Sequence, residues 1–239
     1  MARTPHRLRV KLILPALTEA TSPYWRPIKY SLFPPLGLAT LAAYLAPDDE
    51  AMIVDEHIEP LDTNDRPDLV VIQAYITNAY RAYRIADHYR AKGCFVALGG
   101  LHVTSLPDEA LAHADAIFLG PGEQTFPRFL EELRAGRAQR MYRSTSGRTL
   151  EHVPPIRRDL IARRRYLVPN SMVVTRGCPQ HCDFCYKDAF FMGGRSFYTQ
   201  RVDAALAEIS RLPGRHLYFL DDHLLGDRRF AAALFAGLR

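Results

Sequence analysis

The sequence predicts an α/β fold whose first half is a doubly wound parallel sheet. Two observations carry this. Strand-like and helix-like segments alternate five times between residues 8 and 137, the pattern of a parallel sheet covered by helices. A further β-branched apolar run, Met172 to Thr175, then leads through Arg176-Gly177 into three closely spaced cysteines. Those cysteines fall at the C-terminal end of a strand, where parallel folds hold their ligands.

Taken in order, Leu8 to Leu14 alternates apolar with basic residues and reads as the first strand. A proline-rich loop through Pro34-Pro35 leads to a helix from about Leu36 to Leu45, stopped at Pro47. Strands follow at Ala51 to Val54, ending at Asp55, and at Leu69 to Ala74, opening into Tyr75-Ile76-Thr77-Asn78. The helix Ala79 to Ala91 is stopped by Gly93, and its Tyr80 to Arg84 series reads as an exposed face. Cys94 to Leu98 is a fourth strand ending in Gly99-Gly100, and Ser105 and Asp108 have capping-box spacing for the next short helix. Ala116 to Leu119 is the fifth strand, closing in Gly120-Pro121-Gly122-Glu123 before a helix that ends near Gly136.

Residues 138–170, rich in Arg, Ser and Pro, read as an interdomain linker. Beyond the cysteines, Phe190 to Gly194 reads as a flexible apolar hairpin, placed to act as a lid. A helix from about Thr199 to Leu212 carries Val202, Leu206, Ile209 and Leu212 on one face, and a strand from His216 to Leu220 ends in Asp221-Asp222.

At 239 residues and 48% hydrophobic, the chain can bury one large or two modest cores and is not a disordered sequence. No apolar run approaches the roughly 18 residues of a membrane span, and Met1-Ala2-Arg3-Thr4-Pro5 is no signal peptide. Four cysteines, three of them in one array, fit a reducing cytoplasm rather than a disulfide framework. The net charge of +5 comes mostly from arginine. Its densest run, Arg157 to Arg165, has no stacking aromatic before Tyr166 and reads as a solvated linker rather than a nucleic-acid surface.

Cys178, Cys182 and Cys185 form a C-x-x-x-C-x-x-C array. Electron-transfer clusters and structural zinc sites fill four protein positions, so three thiolates leave one metal position open. Cys94 lies far upstream in an apolar strand and reads as a buried thiol, not a fourth ligand. With Phe184 just before the last cysteine, the array resembles the signature of the radical S-adenosylmethionine superfamily. That resemblance implies that Cys178, Cys182 and Cys185 hold three irons of a four-iron four-sulfur cluster, with S-adenosylmethionine chelating the fourth. One electron then cleaves the sulfonium to a 5′-deoxyadenosyl radical, and Phe184 packs by the adenine.

The first strand is followed by no G-x-G-x-x-G, which leaves a nicotinamide or flavin dinucleotide site without support. Small and glycine-rich residues instead follow strands three, four and five, where they let the backbone approach a large flat ligand. The Gly99-Gly100-x-His102-x-Thr104 and Gly120-x-Gly122-Glu123 loops, with Thr77, resemble the Rossmann-like cobalamin-binding domain that precedes the radical domain in cobalamin-dependent members of that superfamily. The resemblance covers roughly residues 8–137 and implies cobalamin contacts from these residues. Asp55-x-His57 is similar to an axial-histidine loop but ends in Pro60 and follows the second strand, so His57 reads as a surface or interface histidine and the cobalt is expected to lack a protein imidazole.

Residues 171–239 then read as the first units of a (β/α) partial TIM barrel. By the same resemblance, Asp221 or Asp222 stands at the strand end that contacts the S-adenosylmethionine ammonium. A (β/α)₈ barrel takes about 250 residues and a six-unit one about 190, against about 70 here, so either the barrel is truncated or a second chain completes it. The expected activity is methyl transfer to an unactivated carbon of a small molecule, with a reducing electron donor. The alternatives are a non-catalytic module that binds cobalamin or a cluster, and a zinc-type interaction protein in which the cysteines only shape a loop.

Overall fold

The computed structural model describes residues 7–17, 31–145, 147–192 and 196–238. Six strands form one parallel sheet in the order β2-β1-β3-β4-β5-β6: β1 Arg9–Leu14, β2 Glu50–Asp55, β3 Leu69–Gln73, β4 Phe95–Gly99, β5 Ala116–Leu119 and β6 Met141–Arg143. The order reverses between β1 and β3, the topological switch point at which doubly wound sheets bind ligands.

Two apolar layers cover the sheet. On one face α1 (Leu36–Ala42) and α5 (Thr125–Arg134) pack Leu38, Phe126 and Phe129 against Leu12, Val71, Phe118 and Tyr142. On the other, α2 (Ala79–Ala91), α3 (Leu101–Ser105) and α4 (Pro107–His113) bury Tyr83, Tyr89, Val103 and Ala110 against Ile72, Val96 and Ile117. Lys11, one of the alternating basic residues of β1, is itself buried and is neutralised by Asp65 at 2.8 Å and bonded to Tyr89 Oη.

Several of the sequence-based expectations are overturned in this first half of the chain and beyond it. The sheet continues past Gly136, because Met141–Arg143 pairs with β5 inside the predicted linker. The arginine run is exposed at Arg163, Arg164 and Arg165, as read, but it is anchored rather than free: Arg158 pairs with Glu208 at 2.8 Å, Arg165 with Glu59 at 3.1 Å, and Arg163 bonds Asn170 at 3.0 Å. Ser105 caps nothing. Its hydroxyl bonds the Leu101 carbonyl, and α4 starts after Leu106 with Pro107 in its first turn.

The second unit opens with β7 (Ser171–Met172), which pairs in parallel with β10 (Tyr218–Phe219). The run predicted as one strand breaks at Val173-Val174, and β8 (Thr175–Gly177) pairs antiparallel with β9 (Phe197–Thr199). Helix α6 (Lys187–Phe191) follows the cysteines, so the predicted lid is helical through Phe191, which is buried; Gly193-Gly194 lie outside the described residues. Helices α7 (Val202–Ile209) and α8 (Arg228–Gly237) close a small core of Met172, Val174, Ala205, Phe230 and Leu234. Among the described residues, no helix is long and apolar enough to cross a membrane.

Candidate functional site

A cavity of about 310 Å³ opens at the C-terminal ends of β3, β4 and β5. One wall is Gln73, Gly99, Gly100 and the Gly120 to Glu123 loop, backed by Leu36 and Leu41 of α1. The opposite wall comes from the second unit: Thr175, Arg176, Gly177, Tyr186, Phe190 and Asp222. The glycine loops and the strand that carries the cysteines therefore face one another across a single space.

Two glycines are fixed by close approach. Gly100 has φ +113°, and a Cβ there would stand 2.6 Å from the Ala74 carbonyl oxygen at the end of β3. Gly177 has φ +71°, and its Cβ would meet the Ser196 carbonyl oxygen at 1.9 Å. Both positions belong to backbone that only glycine adopts without strain.

Thr104 joins the two glycine loops. Its hydroxyl donates to the Gly100 carbonyl at 3.0 Å and accepts the Gly120 N–H at 3.0 Å. His102 turns inward instead: it is buried, contacts Glu109 at 3.2 Å through Nε2 and packs on Tyr83. Thr77 is exposed and does not line the cavity. Of the residues predicted for cobalamin, Gly99, Gly100, Gly120, Gly122 and Glu123 share the cavity wall.

Glu123 accepts from Arg176 Nε at 2.8 Å, with side chains 12% and 21% exposed. This pair crosses from the β5 loop to the strand ahead of the cysteines. Burial, followed by the Glu123 charge, pushes the nearby Tyr44 phenol up to about 12, partly opposed by Arg176. Sequence reasoning missed Arg176, whose partner Glu123 lies 53 residues away, and Tyr186, whose place on the cavity wall only the fold shows.

The cysteine loop starts where Gly177 lets the chain turn. Cys178 donates its N–H to the Ser196 carbonyl at 3.1 Å, and its Sγ accepts the Gln180 N–H at 3.5 Å. Cys185 N–H bonds the Cys182 carbonyl at 3.0 Å. Cys182 is exposed while Cys178 and Cys185 are half-buried. Among the described residues, no three His, Cys, Asp or Glu side chains converge as ligands of one ion. Convergence within about 2.3 Å of one point is what a mononuclear thiolate site needs, whereas a four-iron cluster bonds several irons and takes its thiolates further apart. Three accessible thiols on one loop, one already accepting an N–H···S bond, fit the cluster's donor chemistry. Cys94 stays buried in the sheet core, where burial pushes its thiol up.

Phe184 is 94% exposed and does not line the cavity, whereas Tyr186, two residues on, does, beside Phe190 and Phe191. The two acidic residues after β10 divide their work. Asp221 Oδ1 accepts from the Val174 and Thr175 N–H groups and from the Thr175 hydroxyl, while Oδ2 is buried with no hydrogen-bond partner among the described residues. Asp222 lines the cavity.

The B12 binding domain family matches residues 30–130. Among curated proteins, the chain is 33% identical to the bacteriochlorophyllide d C-8(2)-methyltransferase of Chlorobaculum tepidum, over 65% of this chain and 36% of that protein. It is 32% identical to an uncharacterized methyltransferase of Synechocystis, over 87% and 40%, and 27% identical to the hopanoid C-3 methylase of Methylococcus capsulatus, over 79% and 42%. The B12 binding domain match thus falls in the first unit, while the likeness to methyltransferases runs over most of the chain. The chain spans less than half the length of these three relatives.

The B12 binding domain match and the methyltransferase relatives imply cobalamin, S-adenosylmethionine and a four-iron four-sulfur cluster as the cofactors. The glycines fit the first by lining the cavity with backbone rather than side chains, and the thiol loop fits the last. The axial-histidine question has a structural counterpart. His57 Nδ1 is held by Asp55 at 2.7 Å, Asp55 also accepts the Tyr166 hydroxyl at 3.0 Å, and among the described residues no histidine lines the cavity.

Proposed function

We propose that this chain carries the cobalamin and cluster sites of a methyltransferase acting on an unactivated carbon of a small molecule. The observation that supports it is the shared cavity, in which the glycine loops face the strand leading to the cysteines. Residues 8–137 form the cobalamin part and 171–239 the cluster-bearing part. Cys178, Cys182 and Cys185 are the cluster ligands. Gly99, Gly100, Gly120 and Gly122 leave room for the corrin, and Asp222 meets the S-adenosylmethionine ammonium while Asp221 holds the strand. Bound together, the cofactors supply a transferable methyl group and, with one electron from a reducing donor, reductive cleavage of S-adenosylmethionine.

The test is EPR of the anaerobically reconstituted, dithionite-reduced chain with and without S-adenosylmethionine. A reduced-cluster signal that shifts on addition is expected. A cluster that ignores S-adenosylmethionine refutes the proposed assignment of the cofactor to this cavity, and zinc in place of iron and sulfide refutes the cluster. A nitrogen superhyperfine splitting from a protein histidine on bound cob(II)alamin would refute the histidine-free site.

A further inference from the structure

Lys187, directly after the cysteine array, is a buried cation outside the site just described. Its side chain is 4% exposed. The ammonium donates to the main-chain carbonyl of Gln180, which lies between Cys178 and Cys182. It also reaches Ser196 Oγ at 3.3 Å, and that hydroxyl donates to the Cys178 carbonyl at 3.4 Å. The carboxylate beside it, Asp188 at 3.3 Å, is 59% exposed, so solvent weakens that pair, and the ammonium's other contacts are with the loop and Ser196. Local helix energetics do not account for the residue. Lys187 is the first residue of α6, the end of a helix where a cation is disfavoured. Burying an ammonium is also costly unless its partners compensate.

We propose that Lys187 is a positioning residue for the cluster. It pins the cysteine loop through Gln180 and holds a fixed positive charge beside it. Reduction adds one negative charge to the cluster, so a nearby cation in a poorly solvated place favours the reduced form. The inference rests on the reading of Cys178, Cys182 and Cys185 as cluster ligands.

The experiment compares the parent chain with Lys187→Arg, Lys187→Gln and Lys187→Met after anaerobic reconstitution. Iron and sulfide content is measured first, then the midpoint potential is taken by dithionite titration followed by EPR. Lys187→Arg is expected to titrate with the parent. The neutral variants are expected to be about tenfold harder to reduce, about 59 mV more negative for a one-electron couple, or to lose the cluster that the Arg variant keeps. Neutral variants with a full cluster and the parent's potential overturn the inference. So does cluster loss in all three variants together with a lowered melting temperature of the cluster-free chain, which marks a packing role alone. A parent chain that assembles no cluster refutes the underlying ligand reading instead.

Discussion

Removing Glu123 leaves a guanidinium enclosed without its counter-charge. Arg176 and Glu123 bond at 2.8 Å with side chains 21% and 12% exposed, and among the described residues Arg176's other hydrogen bond is to the Thr175 carbonyl at 3.2 Å. Breaking a buried pair from one side costs about 3–5 kcal/mol. The residual exposure of both groups places Glu123→Ala at the low end, about 3 kcal/mol. For a chain of this size that lowers the melting temperature by about 6–12 °C. A double-mutant cycle with Arg176→Met isolates the pair, with an expected coupling of about 1–3 kcal/mol because the double variant no longer encloses a lone charge. Enclosure also shields the pair, so the loss should persist from low salt to about 1 M, where a surface pair would be screened away. Denaturant and thermal unfolding of the cofactor-free chain measure all three quantities. A Glu123→Ala variant within about 0.5 kcal/mol of the parent, or a coupling inside the additivity error of about 0.5 kcal/mol, would refute the reasoning.

Two further outcomes follow from the backbone around the cysteines. Gly177→Ala should cost about 1–2 kcal/mol for the left-handed backbone alone, with more from the contact to the Ser196 carbonyl, and should abolish cluster assembly while the far-ultraviolet circular dichroism of the six-stranded sheet survives. An alanine variant that binds iron and sulfide normally contradicts the close approach. Burial raises Asp221 above the ordinary carboxylate value of 3.8, although Thr175 and two backbone N–H groups pull it down. The folded chain then binds this proton more tightly than the unfolded one. Its stabilising contribution is complete below the unfolded value and fades as pH rises through the folded value. The parent should therefore lose stability relative to Asp221→Asn as pH is raised from about 4, and parallel pH profiles would show that the carboxyl titrates normally.

Much of the sheet was legible because its signals are local. Helix α2 was read to the residue, Ala79–Ala91, since an apolar periodicity ends at Gly93 with φ +76°. Strand β5 was read as well, a four-residue apolar run with a glycine turn after it. Strand β6 was not, because Met-Tyr-Arg is too short to show alternation and its pairing with β5 is settled only in three dimensions. The break between β7 and β8 was hidden for a related reason. Asp221, some 46 residues away, takes the Val174 and Thr175 N–H groups that a continuous strand would have paired. At the site, the cysteines and glycines announced themselves by spacing. Arg176 and Lys187 are ordinary cations in the sequence, and only their enclosure by Glu123 and by Gln180 and Ser196 sets them apart.

The order of the sheet has a consequence for synthesis on the ribosome. All six parallel strands are complete at Arg143, and the first thiol of the array, Cys178, is translated about 35 residues later, an interval of about 2–7 s at ordinary elongation rates. The α/β unit thus has time to close while the cysteine loop is still being made. A nascent chain stalled once residue 143 has left the ribosome should already resist protease through its sheet, so the cysteine loop emerges beside a scaffold that no longer rearranges.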